Sequence, residues 1–410
     1  MKRLLLFAVI ISLFGIVLSQ DFEEKKLDGS TFEKLKVRVG GDFAMQFQAL
    51  NHHSDSVELI PLGSGINLPT ANFLIEADLA RGVKVNLETY LSSRHHNEAW
   101  VKGGYLLLDE LPFIRSEFID KVMSVTTLKI GVMELNFGDA HFRRSDNGNI
   151  INNPFVGNYI MDAFTTAFGF EAMVRKNGLL IMGGINSGTL KPALSGYNST
   201  SGVYTKYNMF DELAFHWKAG YDKEFTDNLR VRATLSGYHC FNNHFGSLYN
   251  GDRTGSRYYL VMKQVTDNAS DVDPASGHTS GNWGPGFTDR NNAVMANLFG
   301  KFYGFEFFGT YEYNGGTKVS GSEFTFQQVA AEGLYRFGRE EQFYGGARFN
   351  LVSDQDNESA NRYQIAAGWY MTKNIVIKVE YVNQNYKDFA LYKMADAGFN
   401  GIMVEAGISF

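Results

Sequence analysis

A chain of 410 residues with 43 Gly, 34 Phe and 21 Tyr against 7 Pro and 4 Trp carries a formal net charge of -6. Its mean hydropathy of -0.20 is too polar for a helical membrane protein, and no internal run reaches the roughly 18 apolar residues a spanning helix needs. The lone Cys240 excludes a disulfide framework, and an acidic balance with no basic tract excludes a nucleic-acid partner.

The first element in chain order is Leu4 to Leu18, an apolar run preceded by Lys2 and Arg3 and followed by Ser19, Gln20 and Asp21. That order of basic, apolar and small residues predicts a cleaved signal peptide over 1–19. Residues 20–33 are then a short periplasmic N-terminal tail, too brief to be a plug domain, and 34–410 form a single barrel domain.

From residue 34 onward the chain alternates apolar and polar residues in segments near the length that crosses a bilayer as a tilted strand. The first and longest places Leu35, Val37, Val39, Phe43, Met45 and Phe47 on one face, with Lys36, Arg38, Asp42, Gln46 and Gln48 on the other. Leu229, Val231, Ala233 and Leu235 oppose Arg230, Arg232, Thr234 and Ser236 further on. The last ten residues repeat the pattern, with Ile402, Val404, Ala406, Ile408 and the terminal Phe410 opposite Glu405, Gly407 and Ser409. A soluble sheet rarely sustains this, whereas a membrane barrel requires it of every strand.

The links between segments alternate short and long. Tight turns fall at 80–82, 176–178, 223–227, 303–304, 338–341 and 371–374. Longer polar links fall at 49–70, 93–99, 137–165, 188–210, 241–291, 315–323, 353–361 and 387–399. Short periplasmic turns and long external loops are the mark of an up-and-down barrel. One short position, 109–125, instead carries Leu111, Ile114, Phe118 and Val122 at helical spacing and predicts a small amphipathic helix at the periplasmic rim. The fold class is therefore all-β, a transmembrane up-and-down antiparallel β-barrel of about 16 strands with both termini periplasmic. Trp217, Tyr221, Tyr313, Tyr335, Phe337, Trp369, Tyr381 and Phe410 lie on outward faces near segment ends and would form the interfacial aromatic girdles.

A barrel that wide leaves a water-filled channel unless something fills it, so a non-enzymatic porin for passive diffusion of small hydrophilic solutes or ions is expected, surrounded by outer-membrane lipids. Segment 137–165 is the candidate constriction loop, because His141, Arg143, Arg144 and Asp146 precede an apolar patch, Phe155 to Phe164, able to pack against the wall. Inward basic positions Lys36, Arg38, Lys129, Arg230, Arg232, Arg348 and Lys378 complete the candidate pore-lining set. Inward acids, among them Asp42, Glu76, Asp78, Glu88, Glu171, Glu306, Glu312, Glu332 and Glu380, balance them and predict paired charges across neighbouring strands.

The stretch Ala99-Trp-Val-Lys-Gly-Gly-Tyr105, followed by Leu128-Lys-Ile-Gly-Val-Met-Glu-Leu-Asn-Phe-Gly138, resembles the phosphate-selective porin O and P family of Gram-negative bacteria. Lys129, Gly131, Phe137 and Gly138 match its strand leading into a constriction loop, while Glu134 stands where the family commonly has Lys and Asn136 where it has Pro. The resemblance implies a sixteen-stranded, trimeric porin and puts anions such as phosphate among the candidate solutes. It supplies no arginine and lysine ladder that can be matched residue by residue.

No cofactor, metal or catalytic residue is expected. No Gly-x-Ser-x-Gly motif occurs; His52, His53, His95 and His96 read as solvated loop histidines; His239 and Cys240 point to opposite faces of one strand, away from a shared site with His244. Asp252, Asp271 and Asp273 lack the rest of a calcium loop. The competing reading is a surface protein, adhesive or structural, whose barrel is occluded and whose 241–291 loop binds a partner, with Tyr258 to Met262 as a hairpin projecting above the membrane; a barrel hydrolase is the third.

Overall fold

The computed structural model describes residues 20–410 apart from 30–31, 93–98, 191–193, 199–201, 209, 211, 243–245, 247, 250–253, 266–272, 274–276, 319–320 and 391–395. Residues 1–19, where a signal peptide is expected, and His95, His96, His244, Asp252 and Asp271 lie outside those residues.

Period-two alternation becomes sixteen long antiparallel strands in one closed sheet. In chain order they are β1 Lys36–Ser54, β2 Thr70–Ala80, β3 Val83–Ser92, β4 Ala99–Leu108, β5 Thr126–Glu134, β6 Thr166–Lys176, β7 Leu179–Asn186 and β8 Ala214–Thr226. The circuit continues with β9 Leu229–Cys240, β10 Asn291–Phe302, β11 Phe305–Thr317, β12 Glu323–Phe337, β13 Phe343–Asp354, β14 Ser359–Thr372, β15 Ile375–Lys387 and β16 Ala397–Ser409. Each strand pairs with its sequence neighbours, so the topology is a meander. A two-residue strand, Gly65–Ile66, and a small hairpin of Ser195–Asn198 with Val203–Lys206 sit in the loops.

Closure falls on β1, the longest strand. Its first half pairs with β2, from Lys36 opposite Asp78 to Ala44 opposite Thr70, and its second half pairs with β16, from Asp42 opposite Ser409 to Ser54 opposite Ala397. Gly41 and Phe410 exchange two backbone hydrogen bonds of 3.0 Å at the seam. Every ladder group at this point finds a partner, which hydrocarbon demands because it offers none.

The turns use local chemistry. At Asn177 (φ 55°) and Gly178 (φ 89°) both central residues adopt the left-handed conformation of a two-residue hairpin, the role for which an Asn-Gly pair is suited. Gly131, one of the motif glycines, has φ 140°, and a Cβ there would lie 2.4 Å from the Gly104 carbonyl oxygen. A side chain is excluded where β5 meets β4.

The outer face is apolar. Val37, Val39, Met45, Phe307, Tyr311, Val379, Ile402 and Phe410 are all exposed, while inner-face neighbours such as Gln46, Glu306, Glu312, Lys378, Glu380 and Met403 are buried. At the short-turn end Phe305, Tyr335, Phe337, Phe343 and Trp369 form a continuous row, with successive ring centroids 4.6, 6.1, 5.7 and 5.9 Å apart. Such a belt is what a membrane interface selects.

The rim segment 109–125 carries the small helix expected of it. Only Glu117–Met123 is helical, capped by Ser116, whose side chain accepts from the Ile119 N–H. Ile114, Phe118 and Val122 are exposed rather than packed.

Placing a charge on the mid-strand outer face should be costly. Val329→Arg, at the centre of β12, is expected to lower folding stability in lipid vesicles by about 2–4 kcal/mol, measured by urea titration. The inward-facing neighbour substitution Gln328→Asn should cost markedly less.

Candidate constriction site

Segment 137–165 lies inside the barrel, held there by polar groups of the wall. Lys378 on β15 donates to the carbonyls of Ile150, Asn153 and Phe155 at 3.0, 3.1 and 3.0 Å. Glu380, one row along, accepts from the amides of Val156 (2.7 Å) and Gly157 (3.3 Å). Arg348 on β13 donates to Gly157 O (2.8 Å) and Asn153 Oδ1 (3.1 Å), and Arg362 on β14 bonds Asn158 O. The wall thus satisfies an irregular backbone that lacks a ladder of its own. Between these bonds Phe155, Val156, Ile160, Met161 and Phe164 are buried.

At its start the loop is pinned by charge. Asp139 meets Lys218 at 2.9 Å and Arg232 at 2.8 Å, and accepts from Thr234 Oγ1 at 2.7 Å. Burial alone would raise that carboxyl, but Lys218 and Arg232 outweigh it and hold it well below the usual range.

The long loop after β9 also enters the lumen. Arg257, fully buried, reaches Glu405 at 2.6 Å, and Glu405 is shared with Lys378 (2.7 Å) and Gln46 (2.8 Å). Tyr258 is buried and donates to Glu380 at 2.6 Å. With Val261, Met262 and Phe287 it joins Val156, Ile160 and Met161 in an apolar core against Val352, Val382, Phe399 and Met403 of the wall. The expectation of a hairpin at 258–262 standing above the membrane is therefore corrected: the segment is buried in the barrel, because the wall facing it is apolar.

With the β12–β16 side of the lumen filled, open space remains along β2–β6. It is a cavity of about 610 Å³ between His141, Phe142, Arg144, Asp146, Asn149 and Asn152 of the loop and wall residues that include Lys84, Glu88, Lys102, Tyr105, Lys129, Glu134, Glu171 and Arg175. Both signs of charge border it, and most are paired. Lys102 reaches Glu88 at 2.9 Å and contacts Asp146; Arg144 reaches Asp162 at 2.7 Å; His141 bonds Glu134 and lies 3.2 Å from Asn136.

The N-terminal segment crosses the short-turn mouth of this cavity rather than hanging free below it. Phe22 is buried edge-on against Phe142 and Phe299, with the Arg232 guanidinium 4.4 Å from its ring centre. Glu23 meets Arg232 at 2.5 Å. Glu24 lies 3.2 Å from both Lys84 and Lys129 and accepts from the Tyr105 hydroxyl at 2.5 Å. Arg175 donates to the Glu24 carbonyl at 2.8 Å, and Lys26 to the Asp109 and Thr126 carbonyls at 3.2 and 2.7 Å. The brevity of this segment concealed its role: a few residues suffice when each is tied to a wall charge.

Of the basic residues expected to line the pore, His141, Arg144 and Lys129 border the cavity. Arg230 and Arg232 border a second space of about 510 Å³ at the short-turn mouth, bounded also by Asp21 to Glu23. Arg143, Arg348 and Lys378 do not reach either space. Arg143 is buried on Glu332 at 3.2 Å, as is Arg348 at 2.8 Å, and Lys378 lies under the loop. Lys36 is exposed at the end of β1, and Arg38 is clamped by Asp78 (2.6 Å) and Glu76 (3.2 Å). Inward orientation alone did not distinguish an open wall from one covered by a loop. Lys84, Lys102, Tyr105 and Glu24 border the cavity but were not singled out; for Lys84 the signal was its inward place in β3, opposite Asp78.

His52 is engaged at both ring nitrogens, with Nδ1 accepting from the Met262 N–H at 2.9 Å and Nε2 donating to the Ile60 carbonyl at 2.7 Å. It joins two loops. His239 accepts from Trp217 Nε1 at 3.2 Å on the outer side, whereas Cys240 is buried.

No protein-family model matches this chain, and no curated protein matches it. Among solved structures it is similar to the anion-selective porin from Comamonas acidovorans, at 10% identity and a TM-score of 0.53, covering 92% of this chain and 100% of that one. It is similar also to OprB of Pseudomonas putida, at 9% identity and a TM-score of 0.52, with 92% and 94% covered. A third likeness is to a loop L8 deletion mutant of OmpT, an outer membrane protein of Vibrio cholerae, at 9% identity and 0.50, with 92% and 100% covered. At such identities the shared property is the closed barrel itself. The phosphate-selective family that residues 99–138 resemble is not singled out by these likenesses.

Two measurements test the site. Arg257→Met leaves Glu405 with one cation fewer in a dry place, a change expected to cost about 3–5 kcal/mol; limited proteolysis should then cut within 254–290 at protease levels that spare the parent. The second uses acid. Burial raises the Glu24 carboxyl, but Lys129, Lys84 and the Tyr105 hydroxyl outweigh it and bring it down to about 2, against an ordinary value of about 4.3. Stabilisation of the N-terminal segment is therefore complete above about pH 4.5 and lost as pH falls toward 2. An environment-sensitive dye on Lys25→Cys should hold a constant signal from pH 7 to about 4.5 and change below it.

Proposed function

We propose that this chain is an outer-membrane porin, a non-enzymatic channel for passive diffusion of small hydrophilic solutes and ions. The observation that carries the reading is the cavity of about 610 Å³, bordered by charged groups of both signs, left between the inward loop and the β2–β6 wall of a barrel with an apolar, aromatic-belted exterior. A soluble or purely structural barrel has no use for both features together. The likeness to porin barrels supports the same reading and with it an outer-membrane location, the apolar run behind Lys2 and Arg3 supports a cleaved leader over 1–19, and the family resemblance of residues 99–138 supports a trimeric assembly.

The charges around the cavity bear on ion choice. Asp21, Glu23, Glu24, Asp42, Glu88, Glu134, Asp146 and Glu171 face Lys25, Lys84, Lys102, Lys129, Arg144 and Arg175. Carboxylates outnumber cations there, which favours weak cation selectivity over the phosphate preference implied by the family resemblance, since anion choice needs an uncompensated basic row. The apolar block around Tyr258, Val261 and Phe287 favours the second reading, an occluded barrel, and the same experiment separates the two. Purified protein in planar bilayers should give discrete conductance steps and, in a salt gradient, a reversal potential of the sign for modest cation preference; absence of steps in folded protein would select the occluded barrel.

A further inference from the structure

The N-terminal segment presents one carboxylate to a set of donors that belongs entirely to the wall. Lys84, Tyr105 and Lys129 stand on the adjacent strands β3, β4 and β5. Lys84 is in register with Leu107, and Leu107 with Lys129, while Tyr105 lies two residues along β4 on the same inward face. The Lys129 ammonium sits 4.2 Å from the Tyr105 ring centre, so ring and cation hold each other in place. Between the three lies the Glu24 carboxylate, within 3.2 Å of both ammonium groups and 2.5 Å of the phenol oxygen, and Lys84 is shared with Glu76 of the neighbouring strand at 3.0 Å.

Rigidity is unequal on the two sides of this contact. The donors are fixed by a sheet whose register is set on both flanks. Glu24 rides on a segment with no secondary structure, tied by side chains and by the Arg175 bond to its carbonyl. Donors and acceptor all border the cavity of about 610 Å³, so a solute entering the constriction comes within reach of them.

We propose that Lys84, Lys129 and Tyr105 form a subsite for a small organic carboxylate, and that Glu24 fills it in cis as a tethered competitor. Two ammonium groups and a hydroxyl converging on one carboxylate position are what a dicarboxylate or a hydroxy acid would use. Glu24 keeps the site satisfied when no solute is present and, being attached to the chain, is present at high effective concentration. A solute carboxylate binds by displacing it. Access from solution rests on the porin reading; the donor set itself does not.

Succinate is a suitable probe. Isothermal titration of the full mature protein in detergent is expected to show succinate binding at least tenfold tighter to Glu24→Gln than to the parent. Tyr105→Phe, which removes one hydroxyl and keeps the ring, or Lys129→Met should abolish the gain when combined with Glu24→Gln. Heat-modifiable electrophoretic mobility checks that each variant is a folded barrel. Equal succinate affinity in parent and Glu24→Gln, or a gain that survives both second substitutions, would overturn the subsite. Bilayer recordings keep the two proposals apart: a gain in binding without conductance removes the channel and leaves the subsite, while conductance without the gain does the reverse.

Discussion

The arrangement of the lumen turns on Glu405. It sits on the closing strand, fully buried, and holds Arg257 from the long loop, Lys378 from β15 and Gln46 from β1. One carboxylate therefore ties the barrel seam to the loop that fills the lumen. A buried ion pair gains little over an apolar substitute, but removing one partner leaves a dry charge exposed to nothing. The inner wall is built of such groups, and the loops are the partners that keep them compensated. Glu332, with Arg348 at 2.8 Å and Arg143 at 3.2 Å, and Glu380, with the amides of Val156 and Gly157, repeat the principle along β12–β15.

This explains why the barrel is filled on one side. Where the wall is apolar as well as charged, at Val352, Val382, Phe399 and Met403, the loops supply Val156, Ile160, Tyr258 and Val261 and water is excluded. Along β3–β6 the inward residues are instead Lys84, Glu88, Lys102, Lys129 and Glu171, which pair with neighbouring wall residues, as Lys84 with Glu76, Lys102 with Glu88 and Glu171 with His216, and with Asp146 of the loop and Glu24 of the N-terminal segment. A strongly polar wall with few apolar neighbours gives a loop nothing to bury. The cavity is left there for that reason.

The barrel was legible in the sequence because its constraint is local and repeated. Each strand must be apolar outside, and Val37, Val39, Met45 or Phe305, Phe307, Tyr311 show it without knowledge of their neighbours. The lumen was less legible, because alternation says which residues point inward and nothing about what covers them. Arg348 and Arg144 look alike as inward or loop arginines, yet Arg348 bonds loop backbone and Arg144 borders open space. A signal did exist for the buried 258–262 segment: inward positions of β13–β16 such as Val352, Val382 and Met403 are apolar, which a water-facing wall does not need. The N-terminal segment had no comparable signal, since its contacts with the wall, such as Glu24 with Lys84 and Tyr105 or Gln20 with Arg230, pair residues far apart in sequence.

That segment changes how charge in the constriction should be understood. Without it the cavity is bordered by Asp42, Glu88, Glu134, Asp146 and Glu171 against Lys84, Lys102, Lys129, Arg144 and Arg175, an even balance. With it, Asp21, Glu23 and Glu24 are added against Lys25 alone. The excess of negative charge is thus contributed by the N-terminal segment rather than by the sheet. Selectivity set by a fixed ring of charges is permanent, whereas selectivity set by a tethered chain lasts only while its contacts outcompete those of passing solutes. On the proposed porin reading, the strength of the Glu24 contact with Lys84, Lys129 and Tyr105, relative to that of a solute carboxylate in the same place, sets the balance of charge that a passing ion meets.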